Sequence, residues 1–390
     1  MEGMADICLR SSNEKNMGAE WCVNQPRTRS SFAFDLCNVQ CGVLRVLHDC
    51  RPDLSNRLSL DDLVIEHVGG GVTNTLFCIF FASNPADKSL IRVYGEGTEK
   101  IIDRELEVRI MSELHEYHCC CRIYGLFRNG MCYEYVEGEP LTPQTVTQPH
   151  IRQRLIEKMV RLHSIARFSM SDQNAPQVDL FARMRRMLRQ VSFPYPEVDQ
   201  QERFDKCFPD GLKKIHQEVD KMEALLADIS LSNPPVVGLC HNDLTPGNIL
   251  YNHATDDVRF IDFEYAGINY QAFDIANHFN EYAGVEECDY SRCPDASYQK
   301  AWIKEYLQQW KRQHTHSLCS NGFPEVSDEE IEALYSLVTV LTAISHLFWT
   351  PWSLYLAGSS NIDFDYLTYG SIRYKEYQKQ KKKLDHLIFR

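Results

Sequence analysis

Leu239-Cys-His-Asn-Asp-Leu-Thr-Pro-Gly-Asn-Ile-Leu-Tyr251 and, after a polar turn, Val258-Arg-Phe-Ile-Asp-Phe-Glu-Tyr265 form the stretch whose reading decides this chain. Pro234-Pro235 block a helix ahead of it, so Val236 to Cys240 reads as a buried strand running into a loop, and Pro246-Gly247 turn the chain again. Ile249 to Tyr251 and Val258 to Ile261 then read as two antiparallel strands joined by Asn252 to Asp257. A hairpin of that length brings Asn248 and Asp262 side by side at its open end.

Chemically the stretch offers one carboxylate in a loop, Asp243, and two oxygen donors at a hairpin mouth, Asn248 and Asp262. Mg²⁺ prefers a few hard oxygen ligands. Phosphoryl transfer needs such a metal together with a carboxylate that orients the attacking hydroxyl and accepts its proton. Taken singly, Asp and Asn are common turn formers. Jointly, His-x-Asp-x4-Asn followed by an apolar strand ending in Asp is the multi-position pattern of a kinase catalytic loop.

With Phe273-Asp-Ile-Ala-Asn-His-Phe-Asn-Glu281 added, the chain from about Asp62 to about Tyr377 resembles the choline/ethanolamine kinases. The resemblance implies an α+β, two-lobed, protein-kinase-like fold, with a small five-stranded antiparallel N-lobe carrying one key helix and a larger, mainly helical C-lobe. Residues 1–37 read as a disordered extension, 38–138 as the nucleotide-binding lobe, and 139–390 as the catalytic and substrate lobe. ATP and Mg²⁺ are the expected cofactors.

The N-lobe elements follow in order. Asp62 to Val68 and Leu76 to Phe81 read as strands around Gly69-Gly-Gly71-Val-Thr-Asn74. A glycine-rich turn lets backbone approach phosphates, and Gly70 and Asn74 are its candidate contacts. Lys88 to Tyr94 is the third strand, with Arg92 on the face opposite Ile91 and Val93. Glu99 to Tyr117 repeats Ile102, Leu106, Ile110 and Leu114 at helical spacing. Glu107 falls within that apolar arc, where an acid needs a partner. Arg92 is the natural one, matching the strand-three cation and helix carboxylate that position ATP in kinases. A hairpin around Asn129-Gly130 completes the lobe, and Glu137 to Pro140 is the expected hinge.

In the second lobe, His163 lies on the apolar face of a helix from Ile151 to Phe168 and reads as a satisfied core histidine. The basic helix from Asp179 to Gln190 reads as a solvated face. Glu264 is a candidate metal-site acid, either bonded to groups that hold the metal or ligating a second metal, and Asp274 a structural brace for the catalytic loop. Ser327-Asp-Glu-Glu330 is a capping box opening a helix to about Trp349. Its uncharged run from Ala333 to Trp349 reads as a buried core helix rather than a membrane span, being short and interrupted by Ser and Thr. The resemblance further implies that Trp349, Trp352 and Tyr369, together with Glu281 and Asp243, line an amino-alcohol pocket. Aromatic faces attract cations, and a carboxylate adds charge-assisted hydrogen bonds to an ammonium.

Composition narrows the function. A net charge of −13 argues against a nucleic-acid or anionic-membrane binder. Fifteen cysteines without Cys-x2-Cys pairing point to reduced thiols in the cytoplasm. A homodimer is compatible with the sequence, which does not decide it. Two departures from the family pattern bear on the site: Thr75 stands where a basic residue is common, and Pro351 lies between the two tryptophans.

The implied reaction is ATP-dependent phosphorylation of ethanolamine to phosphoethanolamine, the entry to phosphatidylethanolamine synthesis. Choline kinase is the nearest alternative. Asn129 to Tyr135, Asn280 to Gly284 and Ile362 to Asp365 resemble the ethanolamine branch more. An aminoglycoside-type small-molecule kinase and a nucleotide-binding scaffold without turnover are the remaining readings.

Overall fold

The computed structural model describes residues 28–55, 60–69, 73–165, 178–285, 287–314 and 325–384. A six-stranded sheet forms the N-lobe in the order β1-β5-β6-β4-β3-β2. Five of its strands are the expected antiparallel set: β2 (Leu63–Val68), β3 (Asn74–Phe81), β4 (Asn84–Tyr94), β5 (Ile123–Phe127) and β6 (Gly130–Glu134). The sixth, β1 (Arg29–Ser30), pairs parallel to β5 and comes from the segment expected to be a loose extension. Phe34 explains why residues 28–37 are held. Its ring is 4 % exposed, stacks on Phe77 at 5.7 Å, and packs with α1 (Val39–Cys50) on the back of the sheet. A one-turn helix, α2 (Pro52–Ser55), follows.

The key N-lobe helix, α3 (Arg104–Glu116), begins five residues later than its apolar periodicity suggests. Asp103 is the reason: its side chain accepts from Leu106 N–H and caps the helix there. A short pair, β7 (Glu139–Pro140) on β9 (Ile249–Asn252), ties the connection between lobes to the catalytic hairpin.

The C-lobe contains α4 (Pro149–His163), α5 (Leu180–Gln190), α6 (Val198–Cys207) and α7 (Gly211–Ser232). These lead into β8 (Val237–Cys240), the hairpin of β9 with β10 (Asp257–Phe260), and β11 (Gly267–Tyr270). Then come α8 (Gln271–Asn280), α9 (Ala296–His314), α10 (Asp328–Ala357) and α11 (Tyr366–Lys383). Ser327 and Glu330 make the expected capping box. The helix they open continues eight residues past Trp349 and runs straight through Pro351. It is the one described helix long and apolar enough to cross a bilayer, yet its residues from Leu337 to Leu356 are largely buried among the helices of this lobe.

His163 is a bonded core histidine: Nδ1 meets Tyr306 Oη at 2.8 Å and Nε2 meets Asp274 Oδ2 at 3.1 Å. All described cysteines are free thiols.

Candidate active site

The catalytic loop leaves β8 through two residues whose backbone is locked from below. Asp274, fully buried near the start of α8, accepts from His241 N–H at 2.7 Å through Oδ2 and from Asn242 N–H at 2.6 Å through Oδ1. Asn242 sits at φ 67°, a left-handed conformation that asparagine tolerates better than most side chains. Its amide donates to Tyr265 O and accepts from Asn269, so the side chain also anchors the following loop. The result is a rigid platform that presents Asp243.

Asn248 and Asp262 meet as the hairpin geometry requires. Ile249 pairs with Phe260 at the mouth, and Ile261 N–H donates to Asn248 O at 3.0 Å. Asn248 Nδ2 donates to both the backbone oxygen and Oδ2 of Asp243, which turns its own Oδ1 the other way. Asp262 is a second left-handed non-glycine residue, at φ 64°. Two strained residues in one catalytic loop system are tolerated because the surrounding hydrogen bonds over-determine them.

Around this platform the electrostatics are those of crowded acids. Burial pushes the Asp243 carboxyl well above its usual range, and the charges of Glu281, Asp262 and Glu264 push it further. Burial likewise raises Asp262, to about 7; Arg92 opposes the shift, and Glu264 and Glu107 add to it. Asp262 Oδ1 lies 3.0 Å from Arg92 Nη2 yet accepts no aligned hydrogen bond. An all-oxygen set with crowded negative charge and an unsatisfied carboxylate oxygen fits a hard divalent cation.

Arg92 and Glu107 pair as expected, at 2.7 Å and nearly without exposure. The arrangement beyond them was not legible in the sequence. Arg104 Nη1 bridges Glu107 at 3.0 Å and Glu264 at 2.9 Å, while Nη2 donates to Asn74 and Thr98. Its guanidinium lies 4.2 Å from the centre of the Tyr94 ring. Glu264 also accepts from Thr73 Oγ1 at 2.7 Å and from Asn74 Nδ2 at 2.8 Å.

Two candidates carry contacts the sequence did not announce. Glu264, a candidate metal-site acid, lies with Glu107 and Asp262 in a group whose carboxylate oxygens could hold an ion, and its oxygens also accept from N-lobe donors and join the lobes. Asn74, a candidate phosphate contact, also bonds Glu264 and Arg104. The physical reason is shared: a buried carboxylate takes the nearest donors, and these lie on the facing lobe. Gly70, the other candidate phosphate contact, lies outside the described residues. The only sequence signal for Arg104 was its position three residues before Glu107 on one helix.

In the C-lobe the aromatic candidates come together. Trp349 and Trp352 meet edge to face at 5.3 Å and 87°, and Trp352 lies 6.2 Å from Tyr369. Pro351 does not splay the tryptophans, because three residues along a continuous helix keep them on one face. Both indole N–H groups are spent on the protein, Trp349 on Asn277 Oδ1 at 2.8 Å and Trp352 on Tyr265 Oη at 2.6 Å. That fixes the ring planes.

Glu281, 2 % exposed, accepts from Arg373 Nη1 at 2.6 Å, and the same nitrogen contacts Tyr369 Oη at 3.3 Å. Arg373, Tyr265 and Asn277 were missed by sequence reading, as was Arg183. That residue, on the helix read as a solvated face, donates to Tyr265 O at 2.8 Å and steadies the loop after Asp262.

Residues 65–378 match the family model described as choline/ethanolamine kinase. Ethanolamine kinase 1 of Mus musculus is 35% identical over 347 residues, covering 89% of this chain and 90% of its relative. A probable ethanolamine kinase of Arabidopsis thaliana is 32% identical, with 86% and 85% covered. Among solved structures, an ethanolamine kinase from Plasmodium vivax superposes with a TM-score of 0.73 at 26% identity, covering 88% of this chain and 89% of that one. With the kinase-like lobes and the matched family in hand, the chain belongs to the choline/ethanolamine kinase family.

Proposed function

We propose that this enzyme transfers the γ-phosphoryl group of ATP to the hydroxyl of ethanolamine, giving phosphoethanolamine and ADP. One observation supports the reading. Asp243 accepts from Asn248, and the charges of both Asp262 and Glu281 act on its carboxyl, so it neighbours the oxygen donor set and the buried acid at the aromatic corner alike. A substrate with a hydroxyl at one end and an ammonium at the other matches that layout.

Asp243 would orient the hydroxyl and take its proton as the oxygen attacks the γ-phosphorus, while the bond to the bridging oxygen breaks and ADP leaves with the electron pair. A carboxyl raised by burial and like charges is a stronger base than a free aspartate. Mg²⁺, held by Asp262 and by Asn248 Oδ1, would neutralise developing phosphate charge. Arg92, fixed by Glu107, would hold the α- and β-phosphates. Glu281 would accept from the ammonium, with Trp349, Trp352 and Tyr369 as the walls. Ethanolamine is favoured over choline because the relatives with high coverage are named ethanolamine kinases. A cytoplasmic location is supported by the free thiols.

Turnover of ethanolamine and choline in parallel with Mg²⁺ and ATP tests the proposal. Ethanolamine is expected to have the higher kcat/KM, and Asp243→Asn to lose on the order of 10³-fold in kcat while still binding nucleotide. A reversed preference moves the assignment to choline, and no turnover of either overturns the amino-alcohol reading.

A further inference from the structure

A buried arginine at the cation-binding end of a pocket needs explaining. Arg373 is 1 % exposed and lies on α11 one turn after Tyr369. Nη1 donates to Glu281 Oε1, Nη2 donates to Ser345 Oγ at 3.2 Å, and the guanidinium carbon lies 5.8 Å from the centre of the Tyr369 ring. Ser345 Oγ in turn donates to Asn277 Oδ1 at 2.8 Å, the same oxygen that receives Trp349 Nε1. One arginine thus fixes the acid, touches one aromatic wall, and reaches the second wall through Ser345 and Asn277.

The consequence is electrostatic. An unpaired carboxylate buried among indoles would draw in any cation, whatever its substituents. Paired with Arg373, Glu281 adds no net charge at that end, and a cation gains little there from Coulomb attraction alone. Glu281 Oε1 is committed to the arginine, which leaves Oε2 as the oxygen to meet a ligand. A ligand is therefore rewarded for donating N–H to a fixed oxygen. A primary ammonium has three such donors. A quaternary ammonium has none and keeps only the aromatic faces.

We infer that Arg373 is a specificity-determining positioning residue: by pairing with Glu281 it makes the site select a hydrogen-bonding primary ammonium over a quaternary one. This rests on the ethanolamine reading above and deepens it.

The groups facing the pair are Tyr369 and Glu376 on α11, Ser345 and His346 on α10, Asp243 on the catalytic loop, and Cys288, Tyr290 and Cys293 after α8. Burial first, and then the charge of Arg373, keep His346 neutral. Lys379, whose charge also acts on His346, pairs with Glu376 rather than with Glu281.

The test is steady-state kinetics of the full chain with ethanolamine and choline at pH 6 to 8, for wild type, Arg373→Met, Arg373→Gln and Arg373→Lys. In the neutral variants Glu281 loses its counter-cation, so it takes up a proton when the pocket is empty and must release it to bind an ammonium. Their ethanolamine KM is expected to fall as pH rises, relative to wild type. Their choline-to-ethanolamine ratio of kcat/KM is expected to rise about tenfold as selection by hydrogen bonding weakens. Arg373→Lys should restore both readouts toward wild type, and the KM for MgATP should stay unchanged throughout.

Neutral variants with a lower kcat but an unchanged ratio and an unchanged pH profile would make Arg373 a merely structural residue and overturn the inference. Arg373→Gln keeps the test open should the methionine variant not fold. Failure of wild type itself to turn over ethanolamine would fall on the proposed function instead.

Discussion

In the cluster that joins the lobes two arginines, Arg92 and Arg104, face three carboxylates, Glu107, Asp262 and Glu264; beside Tyr369 one arginine, Arg373, faces one carboxylate, Glu281. The first cluster carries an excess negative charge and spans both lobes. The second pair is balanced and lies wholly within the C-lobe. The same two residue types therefore do different work. An unbalanced cluster has negative charge to offer a cation, and its crowding, after burial, contributes to the raised Asp262 carboxyl. A balanced pair removes charge as the criterion and leaves hydrogen-bond donors and ring faces to discriminate between ligands.

If the two ends are independent, perturbing one should leave the other's Michaelis constant alone. Arg104→Met is the strongest way to break that. It removes the bridge from Glu107 to Glu264 and strands two buried acids, so the KM for MgATP should rise on the order of 10- to 100-fold, while the KM for ethanolamine stays within about twofold. Equal rises in both would mean that the interlobe cluster also shapes the amino-alcohol pocket.

Trp352→Leu perturbs the opposite end. Loss of one ring face should raise the ethanolamine KM roughly 3- to 30-fold and the choline KM by more, with MgATP unaffected. A choline KM no more sensitive than that of ethanolamine would refute the assignment of the faces to quaternary ammonium.

The smallest effect expected comes from a buried acid outside both ends. Burial alone would raise the Glu218 carboxyl, but hydrogen bonds from Lys381 and Tyr377 outweigh it and hold the carboxyl down at about 2. The folded state then binds fewer protons than the unfolded one between that value and the ordinary glutamate range. The stabilisation is therefore present above about pH 4.5 and lost as pH falls toward 2. Glu218→Gln should cost on the order of 1 kcal/mol at pH 7, allowing for solvent screening, with the difference vanishing in acid. Urea unfolding at pH 7 and pH 3 reads it. Unchanged KM values for both substrates would confirm that this pair serves stability alone.

Local sequence carried most of what local chemistry could carry. The hairpin placing Asn248 beside Asp262 follows from two short apolar runs and a polar turn, because strand pairing fixes who sits at the mouth. The capping box at Ser327 is likewise written in residue type and spacing. Arg92 with Glu107 could be inferred because an acid on an apolar helix face demands a partner.

Where the sequence reading fell short, partners came from remote parts of the chain. Glu264 meets Thr73 and Asn74 some 190 positions earlier, and Arg373 meets Glu281 across 92. Phe34 anchors residues that read as a loose extension because the sheet surface it needs is built from β3 and β5.

The sequence by itself therefore determined the candidate chemistry: Asp243, the oxygen donors Asn248 and Asp262, Arg92 on the third strand and the aromatic pair. Only the tertiary structure decided how the charges are apportioned. It gave Glu264 partners on the facing lobe, brought Arg104 between Glu107 and Glu264, and set Arg373 against Glu281. A carboxylate's identity is local, but burial makes its choice of donor a matter of which side chains the fold delivers within 3 Å, and that distance is not encoded by spacing along the chain.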